Sequence, residues 1–396
     1  MTLDFAVFDA DNHYYEALDA FTRHVPASWH KRCMQWATVD GRTRLLVGGR
    51  VNSFIPNPTF DPIAKPGALQ DFFKGRGEKG KDLKALFGEL EPVRAEYRGR
   101  EARLAVMDTQ GIHACWMFPT LGVGMEEALK HDPAAVMVAF RGFNEWIDDD
   151  WGYAYRERIF AAPYLSLVDL DAAIAELERV LERGARFICM RPAPVETPSG
   201  CTSPFTEEFD PFWARVAEAG VAVALHGGDS GAARMAQVWE PQANYRAFLA
   251  TPLQRVVLGN RAITDTMAAA LCHKVFDRHP MLRFASIENG ASWVRGLVKK
   301  LDKAAAQTPG WFTERPSDTF RRHVWVSPFW EDNALTSAEV LGIDRCIFGS
   351  DWPHTEGLPE PLGYEREIEP LGADAVRKIM SGNVAALSQP ITAPVG

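Results

Sequence analysis

The sequence has six cysteines, Cys33, Cys115, Cys189, Cys201, Cys272 and Cys346, and no two of them stand in C-x-x-C spacing. That excludes a thiolate zinc site and a small disulfide-stapled scaffold, and it fits a reducing compartment. Long apolar runs are missing too: none approaches the roughly 18 residues of a membrane span. No Lys/Arg block or basic helix offsets a net charge of −9, which argues against nucleic acid and anionic membrane and for small-molecule partners. The first apolar run, Phe5-Ala6-Val7-Phe8, lies too close to Met1 for a charged and an apolar leader region to precede it, so a cytoplasmic location is expected.

What is present is an ordinary globular composition, 396 residues with 46% hydrophobic and 24% charged, enough for a large core. From about residue 100 the chain alternates. A helix ends at Asp108-Thr109-Gln110-Gly111, and the buried run 114–119 follows. Strand-like runs recur at 161–167, 185–191, 221–226, 283–288, 323–329 and 345–350, and the run at Phe5 and the run 114–119 bring them to eight. Amphipathic stretches of helical length at 171–183, 210–219, 262–278, 291–306, 331–341 and 374–387 lie between them. Most of the strands are apolar throughout, as parallel strands covered by helices are. The pattern predicts an α/β fold, a (β/α)8 TIM barrel forming one domain over 1–396, with a long insertion after strand one at about 20–100 lying over the barrel mouth. In that insertion 43–54 reads as a hairpin turning at Gly48-Gly49, and 69–88 as a solvated loop, a lid being the alternative. Residues 389–396 read as a loose tail.

In such barrels the chemistry sits at the C-terminal ends of the strands. Strand one ends in Asp9-Ala10-Asp11-Asn12-His13, where alternation puts Asp9, Asp11 and His13 on one face. Mixed oxygen and imidazole donors suit zinc, manganese or iron better than calcium. Strand five ends in His226, strand six in Glu288, and strand eight in Gly349-Ser350-Asp351-Trp352-Pro353-His354. Asp11, His13, His226 and Asp351 would together make a site of two carboxylates and two imidazoles with room for water. Asp351, Glu288 and His226 are the candidate catalytic residues. Arg191, ending strand four, is a candidate to hold a substrate's acidic group, a structural charge being the alternative. Phe118 and Trp352, with Trp116, Trp293 and Trp330, are candidates for a pocket wall, plain core being the other reading. His354 is read either as orienting Asp351 or as a solvent-facing loop residue. Glu288 has a structural alternative as the N-cap of the helix from Ala291.

The D-x-H strand end, Ala224-Leu225-His226-Gly227-Gly228-Asp229 and Phe348-Gly349-Ser350-Asp351-Trp352-Pro353-His354 together resemble the amidohydrolase superfamily, and within it the branch of aminocarboxymuconate-semialdehyde decarboxylase and the aromatic-acid decarboxylases. The resemblance runs from residue 5 to about 387. It implies a single divalent metal, zinc ahead of manganese, held by Asp11, His13, His226 and Asp351. Relatives often form dimers, so a homodimer is among the expectations. One position departs: where better-known members resemble His-Gly-Gly-Gly at the end of strand six, this chain has Glu288-Asn289-Gly290-Ala291.

The leading expectation is non-oxidative decarboxylation, or related C–C cleavage, of a small aromatic or unsaturated carboxylic acid, with Asp351 or Glu288 delivering a proton. The alternative is hydrolysis of a C–C, amide, ester or lactone bond, with Asp351 taking a proton from metal-activated water. The orientation of Glu288 separates them. Facing the metal it favours hydrolysis; turned away as a cap it favours decarboxylation. A barrel that has lost catalysis and serves as a scaffold is the third class, and its mark would be missing ligands.

Overall fold

The computed structural model describes residues 3–55, 57–73, 87–198, 200–242, 250–328 and 332–391. Strand one, Val7–Tyr14, pairs in parallel with strand two, Ile112–Pro119, which pairs with strand three, Ile159–Ala161. Strands four to seven, Phe187–Met190, Ala222–His226, Arg283–Ile287 and Val324–Val326, form a second parallel ladder. Single bridges join the two ladders into a ring. Tyr164–Cys189 links strand three to four, Val326–Cys346 links strand seven to an eighth stave at 346–352, and Asn12–Trp352 returns to strand one. This is the (β/α)8 barrel, and its near-continuous burial is what helices packed around parallel strands impose.

Helix ends follow their caps. Arg100–Gln110 stops at Gly111 and Asp210–Ala219 at Gly220, both glycines left-handed, while Asp169 caps Leu170–Glu182 by accepting from the Ala172 N–H. Ser292–Gln307 follows strand six.

Several boundaries differ from the sequence reading, each for a local reason. Strand three is shorter because the chain changes partners after Ala161: Ala162 donates to the Met117 carbonyl, Leu165 to that of Cys189. The eighth stave forms no regular ladder, since Asp351 is left-handed, yet Ile347 still donates to the Val326 carbonyl at 3.0 Å. The helix expected over 262–278 breaks at left-handed Lys274 into Arg261–Cys272 and Val275–Arg278. That expected from 331 begins at Ala334, where Asn333 accepts from the Thr336 N–H; Phe329, Trp330 and Glu331 lie outside the described residues.

In the insertion the hairpin at Gly48-Gly49 forms, but it belongs to a three-stranded antiparallel sheet of Met34–Val39, Arg42–Val47 and Arg50–Val51. Most of the expected loop, 74–86, lies outside the described residues. The segment before it rests on the loop after the eighth stave, with Gly67 N–H donating to the His354 carbonyl and Leu69 N–H to that of Thr355, at 3.1 and 2.8 Å. The first residues of the expected loose tail are tied down: Ile391 N–H donates to the Gly220 carbonyl at 2.9 Å, and Arg283 donates to the Gln389 carbonyl. No helix among the described residues is long and apolar enough to cross a membrane.

Candidate metal centre

Four strand ends converge. Asp11 and His13 come from strand one, His226 from strand five, Glu288 from the residue after strand six and Asp351 from the eighth stave. His13 Nε2 lies 3.2 Å from Asp11 Oδ1, 3.4 Å from Asp351 Oδ1 and 3.5 Å from Glu288 Oε2. His226 Nε2 lies 3.5 Å from Asp11 Oδ1 and 3.3 Å from Glu288 Oε2. Two overlapping donor clusters result, Asp11, His13, His226 and Glu288 in one, and His13, Glu288, Asp351 and His354 in the other.

These donors fit a divalent cation. His13 Nε2, His226 Nε2, Asp11 Oδ1 and both carboxylate oxygens of Asp351 are buried without a hydrogen-bond partner, although they face one another. Buried polar atoms rarely stay unpaired, and here their lone pairs point into a shared space. Nitrogen with carboxylate oxygen is the donor set of zinc or manganese. The charges point the same way. Burial pushes the His13 imidazole down, but Asp11 and Glu288 outweigh it and push it up to about 10. Burial likewise pushes the Asp11 carboxyl up, and contact with His13 and His226 overrides it and holds it below the usual carboxylate value. Asp351 is driven well above that value by burial and then by neighbouring Glu288. A cluster this rich in carboxylate is one that a cation stabilises.

The imidazoles are held from behind. His13 Nδ1 is 3.2 Å from the Pro119 carbonyl and His226 Nδ1 2.7 Å from that of Gly227, so each ring presents Nε2 inward. Phe118 packs against His226 with ring centroids 4.3 Å apart. His354 is buried, not solvent-facing: its Nδ1 lies 2.6 Å from Asp351 Oδ1 and its Nε2 2.9 Å from Thr120 Oγ1. The Thr120 hydroxyl donates to the Tyr14 carbonyl, so it must accept from Nε2–H of His354.

Glu288 does not cap the helix from Ser292. Asp332 takes that place by accepting from the Ala291 N–H at 2.6 Å, and Glu288, left-handed at φ 54°, turns into the centre. Asn289 donates to the Leu225 and Ile287 carbonyls and so fixes the turn that aims it.

Three sequence expectations are not met in space. Asp9 is not in the donor cluster: the strand-one register shifts between Asp9 and Asn12, and the Asp9 carboxylate is taken up by hydrogen bonds to Asp11, Asn12 and Ser350. Arg191 is buried and paired with Glu126 at 3.1 Å and Glu127 at 2.8 Å, which occupies its guanidinium. Phe118 and Trp352 are buried rather than exposed to a pocket, Trp352 lying beneath the Arg103 guanidinium at 4.6 Å. Trp116 is core, stacked on Phe187, and Trp293 is buried with its indole N–H on the Gly290 carbonyl.

Sequence reasoning missed Glu356, five residues after Asp351. Burial, and then the charge of Glu288, push its carboxyl up to about 7. It also missed Thr120 and Glu16. The Glu16 carboxylate accepts from the backbone N–H groups of Thr120, Leu121 and Gly122, fixing the loop that holds His354. Strand-end position was the signal for the donors; these supports lie beyond the strand ends, where that rule does not reach.

Residues 40–387 match the family model described as amidohydrolase. An amidohydrolase from Mycobacterium avium subsp. paratuberculosis K-10 is 44% identical over 100% of both chains, with a TM-score of 0.93. More distant structures share the fold. The 2,6-dihydroxybenzoate decarboxylase from Rhizobium is 19% identical over 83% of this chain and 96% of its own, with a TM-score of 0.60. A dihydroxybenzoic acid decarboxylase from Polaromonas sp. JS666, with bound manganese and 2-nitroresorcinol, is 18% identical over 83% and 96%, with a TM-score of 0.59. No curated protein matches the chain.

Proposed function

The chain belongs to the amidohydrolase family, and from that premise we propose that it is a divalent-metal-dependent hydrolase of a small substrate carrying an amide, ester, lactone or cleavable C–C bond. The observation that carries this reading is the inward turn of Glu288, whose Oε2 lies 3.3 Å from His226 Nε2 and 3.5 Å from His13 Nε2. Asp11, His13, His226 and Glu288 would hold zinc or manganese. A bound ion supplies Lewis acidity and lowers the pKa of a water. Asp351 is the proton acceptor, its Oδ1 facing the donors at 3.4 Å from His13 Nε2. Burial of Asp11, His13, His226 and Asp351 strengthens each charge interaction among them.

The surroundings favour a substrate without a carboxylate at the reacting end. Asp11, Glu288 and Asp351 make the floor acidic, and Arg191 is already bound by Glu126 and Glu127. Decarboxylation remains the second reading, supported by the buried Asp351 carboxyl, which desolvation raises well above its usual value and so equips as a proton donor. The test is a paired assay on the metal-loaded protein. Lactones, esters and amides are followed for acid release, hydroxybenzoates for carbon dioxide. Acid release alone supports hydrolysis; carbon dioxide alone overturns it in favour of the second reading.

A further inference from the structure

We propose that Asp9 and Ser350 are positioning residues that tie Asp11 of strand one to the eighth stave beside Asp351 and thereby set the metal-binding geometry; the inference rests on the metal centre proposed above. Asp351 is left-handed at φ 56°, a conformation uncommon for any residue but glycine. The bonds around it impose it. Asp9 Oδ1 accepts from the backbone N–H of Asp11 at 3.1 Å and of Ser350 at 2.9 Å. Asp9 Oδ2 accepts from the Ser350 hydroxyl and from Asn12 Nδ2. The same Ser350 hydroxyl oxygen accepts from the Trp352 N–H at 3.1 Å. Asp351 is therefore gripped on both sides, while its own N–H donates to the Asp11 carbonyl at 2.8 Å.

One carboxylate thus joins the backbone beside Asp11 to the backbone beside Asp351. The far end is anchored by Arg103, fully buried, which donates to Asn12 Oδ1 and, at 2.7 Å, to the His13 carbonyl. Asn12 accepts from Arg103 and donates to Asp9, so the clamp runs without a break from Arg103 through Asp9 to Ser350. Asp9 and Ser350 do not enter either donor cluster, so their influence on a cation passes through Asp11 and His13, and their influence on the proton acceptor through Asp351.

The experiment measures the Zn2+ dissociation constant of the metal-stripped full-length chain by competition with a chromogenic chelator, beside its melting temperature. Ser350→Ala deletes one oxygen, and Asp9→Asn puts a donor where the clamp needs an acceptor. Both should weaken Zn2+ binding by roughly 10- to 100-fold, with the far-UV circular dichroism unchanged. A lower melting temperature with wild-type affinity in Ser350→Ala would make the network merely structural and overturn the proposal. Should Ser350→Ala not fold, wild-type affinity in Asp9→Asn overturns it equally. A wild-type chain that bound no Zn2+ would instead overturn the centre itself, and the clamp with it.

Discussion

Glu288 and Asp351 face the same space, and both carry left-handed backbones, φ 54° and 56°. Each such residue costs on the order of 1–3 kcal/mol, and strain of this kind persists where surrounding bonds over-determine it. Their roles separate by substitution. Glu288→Gln should weaken metal binding roughly 10- to 100-fold, whereas Asp351→Asn should keep the metal and lose roughly 100- to 10,000-fold in kcat. Metal content after gel filtration, read beside steady-state kinetics, checks the pair; the reverse pattern would exchange the two assignments. Thr120→Val strands the buried Nε2–H of His354 and should cost about 1–3 kcal/mol, with Thr120→Ser restoring most of it in urea denaturation. The donor residues were legible in sequence because strand-end position is a local property. The partner of Arg191 was not, since Glu126 and Glu127 lie more than sixty residues away along the chain.

At the scale of elements, the loop after strand two is fixed by one buried carboxylate. Burial pushes Glu16 up to about 7, against the three backbone N–H groups that pull it down. Its folded pKa therefore lies above its ordinary value of 4.5, so the folded state binds the proton more tightly than the unfolded state. The sign follows: the contribution is complete below pH 4.5 and is lost as pH rises toward 7. The urea midpoint should fall between pH 5 and pH 8 by more in the wild type than in Glu16→Gln; an equal fall in both would contradict the assignment. The lower end of the barrel gives a second prediction. A Cβ on Gly220, left-handed at φ 63°, would meet the Ile391 carbonyl oxygen at 1.8 Å, whereas one on helical Gly296 meets nothing within 4 Å. Gly220→Ala should destabilise by more than about 1 kcal/mol, while Gly296→Ala should stabilise by about 0.5–1 kcal/mol. Sequence pattern located the helices well because caps are local: Asp169, Gly111 and Gly220 stand where their helices begin or end. It placed strand three and the eighth stave less well, because partner changes at Ala162 and Leu165 and the turn at Asp351 depend on strands far away in the chain.

For the whole molecule, the alternation of apolar runs with amphipathic stretches was enough to give the barrel, and the barrel was enough to say where its chemistry sits. What the alternation could not carry is the third layer of the design, the buried network behind the donors. Asp9 shows this most plainly: strand periodicity put it on the face of Asp11 and His13, and a register shift turned it into the clamp's hub. The barrel should tolerate metal loss. Chelation should abolish activity while far-UV circular dichroism persists, because the core lies in the staves and helices rather than in the ion. The most direct test is metal content joined to hydrolysis. A purified chain should bind about one zinc or manganese ion, lose hydrolytic activity when stripped and regain it on readdition, and His226→Ala should hold no ion and show no activity with or without added metal. Full hydrolytic activity in a preparation free of metal would contradict the account.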